Sequence, residues 1–162
     1  MVMKNLEISS IRLLQNKNNY SRYFLFGIII FAFLGFLDTS YLSIKHFQGL
    51  VPDCYLLAGC DVVTTSKYSI IFGVPLAYIG LLYYLILFVL GILYIDTNKE
   101  ILTNYIFFLV SLGSVSSLYF TYLQFFVIGS LCVYCLTSAF FSTIIFVLSA
   151  SVQINKRHIK LK

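Results

Sequence analysis

Three long stretches of this chain carry almost no charge, and they dictate most of what it can become. Residues 101–155 form 55 consecutive positions without Asp, Glu, Lys or Arg, residues 68–95 form a second such run, and the 22 residues between Arg22 and Lys45 contain one charge, Asp38. A helix that crosses a bilayer needs about 20 apolar residues. The stretches at 23–44 and 68–95 therefore supply one span each. The 55-residue run is too long for one span and suits two with a tight connection. Its natural break is Val127-Ile128-Gly129-Ser130-Leu131, where Gly129 and Ser130 can turn the chain. Pro75 near the start of the second span suits a first helical turn, where its missing N–H has no intrahelical partner. The expected fold is an all-α integral membrane protein, a bundle of four transmembrane helices. Composition agrees: 60% of residues are hydrophobic and 10% charged, against about 25% charged in soluble domains. An ordinary soluble enzyme, a disordered tail and a nucleic-acid reader are excluded. A cleaved secretory signal does not fit the N-terminal stretch after Arg22, whose apolar run exceeds the roughly 7–15 residues of such a signal and ends in no small-x-small site.

Basic residues orient the bundle. Lys4, Arg12, Lys17 and Arg22 precede the first span, Lys156, Arg157, Lys160 and Lys162 follow the fourth, and Lys99 lies between the second and third. Only Lys45 and Lys67 lie between the first and second spans, and none lies between the third and fourth. Because cytoplasmic loops collect Lys and Arg, both termini are expected in the cytoplasm. Residues 1–22 then form a basic cytoplasmic tail, 23–152 the membrane domain with an outer loop at about 46–73, and 153–162 a second basic tail. The net charge of +5 belongs to this topology and to anionic lipid headgroups, not to nucleic acid.

That orientation, derived without the cysteines, puts all four of them on the non-cytoplasmic side. Cys54 and Cys60 fall in the outer loop, and Cys132 and Cys135 open the fourth span. That face is the oxidising one in a bacterial envelope or an organelle lumen. A C-x-x-C at a helix N-terminus has chemical consequences, because free N–H groups and the helix dipole stabilise a thiolate. A bridge across the short Cys54–Cys60 loop would restrict the unfolded chain little. Two thiols on a mobile loop suit a relay, in which a thiolate of one pair attacks the disulfide of the next. Other readings stay open: two structural disulfides, a four-cysteine zinc site with a C-x5-C spacing wider than usual, or a channel or assembly protein with incidental cysteines. No metal is expected.

A dithiol relay needs a terminal acceptor. The chain has no C-x-x-C-H, no G-x-G-x-x-G and only two histidines, His46 and His158. A lipid-soluble quinone suits a bilayer site without a bound-cofactor motif. The outer end of the third span, Tyr119 to Phe126 with Tyr122, would meet the start of the second, Phe72 to Tyr78, and the start of the fourth. Phe72, Tyr78, Tyr119 and Tyr122 are therefore candidate quinone contacts, although rings at that depth also serve as packing and interface belt.

The run Cys54-Tyr-Leu-Leu-Ala-Gly-Cys60, Ser66 six residues on, Gly73-Val-Pro75, and the distant Cys132-Val-Tyr-Cys135-Leu-Thr-Ser-Ala139 resemble the vitamin K epoxide reductase family. The likeness is greatest to bacterial-type members that drive disulfide formation. Gly35-Phe-Leu-Asp-Thr-Ser-Tyr-Leu42 adds to it, and the resemblance runs from about Gly27 to Ala150. It implies a thiol oxidoreductase of the cytoplasmic membrane of a prokaryote. Cys54 would take electrons from a reduced thioredoxin-like protein, and Cys60 would exchange with Cys132. The Cys132–Cys135 pair would reduce ubiquinone, menaquinone or a similar quinone, with Cys135 nearest the ring. Ser66 would lie near the quinone, or simply cap a short outer helix. Ala139 would also line the quinone site; the animal enzyme has Tyr at that position, which favours a plain quinone over a vitamin K epoxide here. Reduction of a quinone epoxide and a non-catalytic role with structural disulfides remain the alternatives. Many bacterial members carry a fused thioredoxin-like domain; here the chain ends about ten residues after the fourth span, so a separate thioredoxin-like partner is expected. Asp38 and Asp61 are assigned no catalytic part.

Overall fold

The computed structural model describes the backbone of residues 2–52, 54 and 59–160, and side-chain surroundings within 23–52, 54, 59–99 and 101–154. The loop residues 55–58 and the side chains of both basic tails lie outside the described residues. Helix α1 runs Val2–Phe47, passing beyond both charges that bracket its apolar stretch. A one-and-a-half-turn helix, α2 (Cys60–Thr65), leads into a 3-10 turn at Lys67–Ser69 and a minimal hairpin, β1 (Ile70–Ile71) and β2 (Val74–Pro75). The strands are antiparallel, with Ile70 opposite Pro75 and Ile71 opposite Val74. Phe72 and Gly73 turn the hairpin with φ of 51° and 82°. Helices α3 (Leu76–Thr97), α4 (Glu100–Tyr122) and α5 (Val133–Lys160) complete the bundle.

The helix ends follow local chemistry. Pro75 stands one residue outside α3, at its N-cap and in β2, rather than inside the first turn. Its fixed φ of −58° serves the strand end as well as a helix start. Asn98 closes α3 in the left-handed conformation, its N–H donating to Tyr94 O at 2.8 Å. The long uncharged run breaks where expected, but through an intermediate form. After Tyr122 the backbone widens into a π-helical segment, Leu123–Ile128, and the chain turns at Gly129 with φ +67°, a conformation that favours glycine. Segments of 22 to 28 residues in four helices are long and apolar enough to cross a membrane.

In cross-section α1 packs against α3 and α5, and α4 against α5 and α3, so α1 and α4 lie on a diagonal. Leu25, Ile28 and Ala32 present one stripe of α1 to Tyr84, Leu87, Ile106, Val110 and Ile145; their spacing of three and four residues is that of one helix face. Lipid tails are as apolar as this core, so close packing and hydrogen bonds hold membrane helices together. Small residues make the closeness possible. A methyl group at Gly35 would overlap the Tyr84 ring, and one at Gly113 the Tyr83 ring. On α4 the run Gly113-Ser-Val-Ser-Ser117 receives α3 at Gly113, while Ser116 and Ser117 face a cavity.

Candidate functional site

The four cysteines gather at one end of the bundle, and a single glycine explains how. Gly59 precedes α2, and Val63 N–H donates back to its carbonyl at 3.0 Å. A Cβ at Gly59 would stand 3.0 Å from both the N and the O of Leu131 and 3.1 Å from the Ser130 Cβ. Without a side chain there, α2 rests directly on the backbone of the turn that ends at Cys132. Cys60, the first residue of α2, and Cys132 are 1% and 0% exposed and share one buried cluster with Val63. Cys54, Ile128, Tyr134 and Cys135 pack around it.

The outer pair is joined: Cys54 and Cys60 form a disulfide with Cα atoms 6.1 Å apart, inside the usual range of about 4.4–6.8 Å. Cys132 and Cys135 are free thiols. Cys132 sits immediately before α5, and its carbonyl accepts the first intrahelical bond, from Leu136 N–H at 3.0 Å. Its sulfur takes the place of a capping oxygen, accepting the Cys135 N–H at 3.4 Å. The hydrogen bond from the Cys135 side chain, followed by the backbone bonds, holds the Cys132 thiol below the ordinary cysteine range, against the opposing effect of burial. That is the environment of a good attacking and leaving sulfur.

The Cys132 backbone N–H donates to Gln124 Oε1 at 3.0 Å. Gln124 is 3% exposed and belongs to the π-helical segment. The widened turn carries this amide to the start of the next helix, as π-bulges often do at functional sites. Gln124 was not singled out from sequence, although it is the one amide between Tyr105 and Val152. A lone Gln in so apolar a run was the available signal.

Beside the cysteines opens a cavity of about 600 Å³, within the size range of small-molecule sites. Its wall is largely apolar, with Cys135, Ser138 and Ala139 from α5, Tyr84 from α3 and Ser66 from the segment after α2. Cys135 lines it, whereas Cys132 lies behind, toward Cys60. Tyr84 Oη donates to Ser138 O at 2.6 Å and lies 3.1 Å from Ser138 Oγ, fixing α3 against α5 one turn below Cys135. Ser66 both faces the cavity and caps: its Oγ donates to Val63 O at 2.8 Å.

Two of the six expected contacts, Ser66 and Ala139, lie on this wall; Phe72, Tyr78, Tyr119 and Tyr122 do not. Phe72 is fully exposed at the hairpin tip, where its turn conformation points it away from the bundle. Tyr78 meets His46 edge-on, ring centroids 6.0 Å apart. Tyr119 and Tyr122 occupy the outward face of the third span, 56% and 55% exposed, with Tyr122 stacked on Phe126 at 4.9 Å. Tyr83 and Tyr84 are the aromatic residues α3 gives the cavity instead. Asp61 lies on the exposed face of α2. Among the described residues no three His, Cys, Asp or Glu side chains come together as a metal site.

Residues 26–150 match the sequence model of the "Vitamin K epoxide reductase family". Over 121 residues the chain is 36% identical to the "Thiol-disulfide oxidoreductase LTO1" of Arabidopsis thaliana, an alignment covering 70% of this chain and 32% of that protein. The chain therefore spans about a third of the length of the curated relative it matches.

Proposed function

This chain belongs to the vitamin K epoxide reductase family, and from that premise we propose that it oxidises the dithiol of a thioredoxin-like partner and passes the electrons to a membrane quinone. The observation that carries this reading is the seating of Cys60 and Cys132 in one buried cluster, with Cys135 next to them on the cavity wall. The outer disulfide, Cys54–Cys60, is the form that accepts electrons from a dithiol. A partner thiolate attacks Cys54, the more accessible of the pair, and resolution leaves both outer cysteines reduced. Cys60 then attacks Cys132 when the inner pair is oxidised, and Cys54 resolves the mixed disulfide. Electrons thus reach Cys132 and Cys135 without the partner entering the bundle.

The cavity fits a quinone: apolar walls for the ring and tail, a few hydroxyls for the carbonyl oxygens, and a cysteine sulfur at its edge. A quinone supplies the capacity to take up two electrons and two protons. Ser66, Ser138 and Ala139 would line its site, with Ala139 leaving room one turn beyond Cys135. The cysteines are placed on the non-cytoplasmic side of a prokaryotic cytoplasmic membrane and both termini inside, following the distribution of Lys and Arg. On that side the activity sustains disulfide formation in exported proteins. Purified protein given a reduced thioredoxin-like dithiol is expected to reduce a quinone, and Cys135→Ala to abolish this. Absence of cysteine-dependent quinone reduction across several quinones and dithiols would overturn the reading.

A further inference from the structure

Asp38 is the one charged residue in the apolar stretch of α1 before Lys45, and its Oδ2 is buried with no hydrogen-bond partner among the described residues. An ionised carboxylate without donors is costly in apolar surroundings, and such groups inside a membrane domain are commonly functional. Its neighbours define what it faces. One turn earlier, Gly35 receives the Tyr84 ring; the next residue, Thr39, lines the cavity; and Tyr41 packs on Tyr134, centroids 5.0 Å apart, between the two inner cysteines. This stretch of α1 therefore runs along the first turn of α5, and Thr39, beside Asp38, lines the same cavity as Cys135 and Tyr84.

The other titratable groups at this junction are few. From α3 come Tyr84 and, edge-on behind it, Tyr83; from α5 come the two cysteines and Tyr134. On α1 itself Lys45 is two turns away, its ammonium over the Tyr41 ring at 5.8 Å.

The two inner sulfurs are not equivalent. The Cys135 amide is turned to Cys132 Sγ, so the helix end favours charge on Cys132, whereas Cys135 stands on the largely apolar cavity wall. When Cys60 attacks Cys132, the sulfur that leaves is Cys135, and a bare thiolate there is unfavourable. We infer that Asp38 is the acid that protonates Cys135 Sγ as the Cys132–Cys135 bond opens, and the base that takes the proton back when it re-forms. In the opening step the Cys60–Cys132 bond forms and the Cys132–Cys135 bond breaks. Cys60 is oxidised, and Cys135 receives the electron pair with the carboxyl proton. The proton given up by the Cys60 thiol restores the acid form of Asp38, so the net transfer is one proton from Cys60 to Cys135. This role rests on the relay proposed above.

The test uses the full chain, freed of quinone and oxidised at both pairs, mixed with a reduced thioredoxin-like dithiol. Acid quenching and maleimide mass-tagging then follow the free Cys135 thiol against pH. Asp38→Asn is expected to slow its appearance by on the order of 100-fold, the lower end for loss of a general acid, and to remove a step from the pH profile. Asp38→Glu is expected to keep the step and shift it. A merely structural aspartate would reduce the yield of folded protein and leave the profile of the folded fraction unchanged. Should Asp38→Asn not fold, an unshifted profile for Asp38→Glu overturns the inference. A wild type that never opens its inner pair overturns the relay itself, whereas an active wild type matched in rate and profile by Asp38→Asn overturns only the role of Asp38.

Discussion

Replacing Gly59 by alanine isolates the contact on which the proposed transfer between the two cysteine pairs depends. Gly59 has φ −173°, extended backbone open to any residue, so alanine meets no conformational objection there. The obstacle is steric: the new Cβ would lie 3.0 Å from the Leu131 N and O and 3.1 Å from the Ser130 Cβ. Two of those atoms are backbone and cannot swing aside, so α2 must lift from the 129–132 turn. Overpacking of this kind costs about 1–3 kcal/mol, and at about 1.36 kcal/mol per factor of ten the seated arrangement of Cys60 on Cys132 falls roughly 5- to 150-fold. Quenched-flow thiol trapping with a reduced dithiol separates the steps. Reduction of Cys54–Cys60 is expected at the wild-type rate, and the later appearance of thiols at Cys132 and Cys135 is expected to slow by that factor. Unchanged inner-pair kinetics in folded Gly59→Ala would refute the proposed contact as the route.

Other substitutions probe the rest of the site. Gln124→Leu leaves the buried Cys132 N–H without its acceptor, at a cost of about 1–3 kcal/mol; a lower thermal midpoint in detergent is expected. Tyr84→Phe removes the 2.6 Å bond to Ser138 O and is expected to destabilise the fold by roughly 1 kcal/mol, read in the same melt. Ala139→Phe fills the cavity wall beside Cys135 and is expected to raise the quinone KM about tenfold, corresponding to an overpacking cost of about 1.4 kcal/mol, while Cys60 still exchanges with Cys132. The Cys132 thiol, held low first by the Cys135 side chain, should form its thiolate below the pH at which a free cysteine does. A lowered value means more thiolate at neutral pH, and Cys135→Ala should move the midpoint upward; thiolate ultraviolet absorbance reads both.

The spans were legible because charge is excluded from them: the uncharged runs of the sequence are the apolar parts of α1, α3, α4 and α5. The break at residues 127–131 was legible too, since Gly129 is the residue suited to the left-handed turn found there. Helix faces were not. α3 is apolar all round, and such a helix carries no stripe to say which side meets its neighbours. Tyr78 and Tyr84 look alike in sequence, yet only Tyr84 finds Gly35 to pack on and Ser138 to donate to. Tyr119 and Tyr122 fall on the outward face, and the π-helical segment that follows them shifts the register so that Gln124 turns inward. The contact at Gly59 depends on a turn more than 70 residues away along the chain, which no local pattern encodes.

The relay is tested most directly by removing Cys54, which leaves Cys60 without its outer partner. When Cys60 of Cys54→Ala attacks an oxidised inner pair, nothing resolves the product, so a Cys60–Cys132 disulfide should accumulate together with a free Cys135 thiol. Peptide mapping by mass spectrometry under non-reducing conditions reads both. Recovery of that cross-link is the predicted result. Recovery of Cys60 as a free thiol beside an intact Cys132–Cys135 disulfide, in folded protein under the same oxidising conditions, would contradict it.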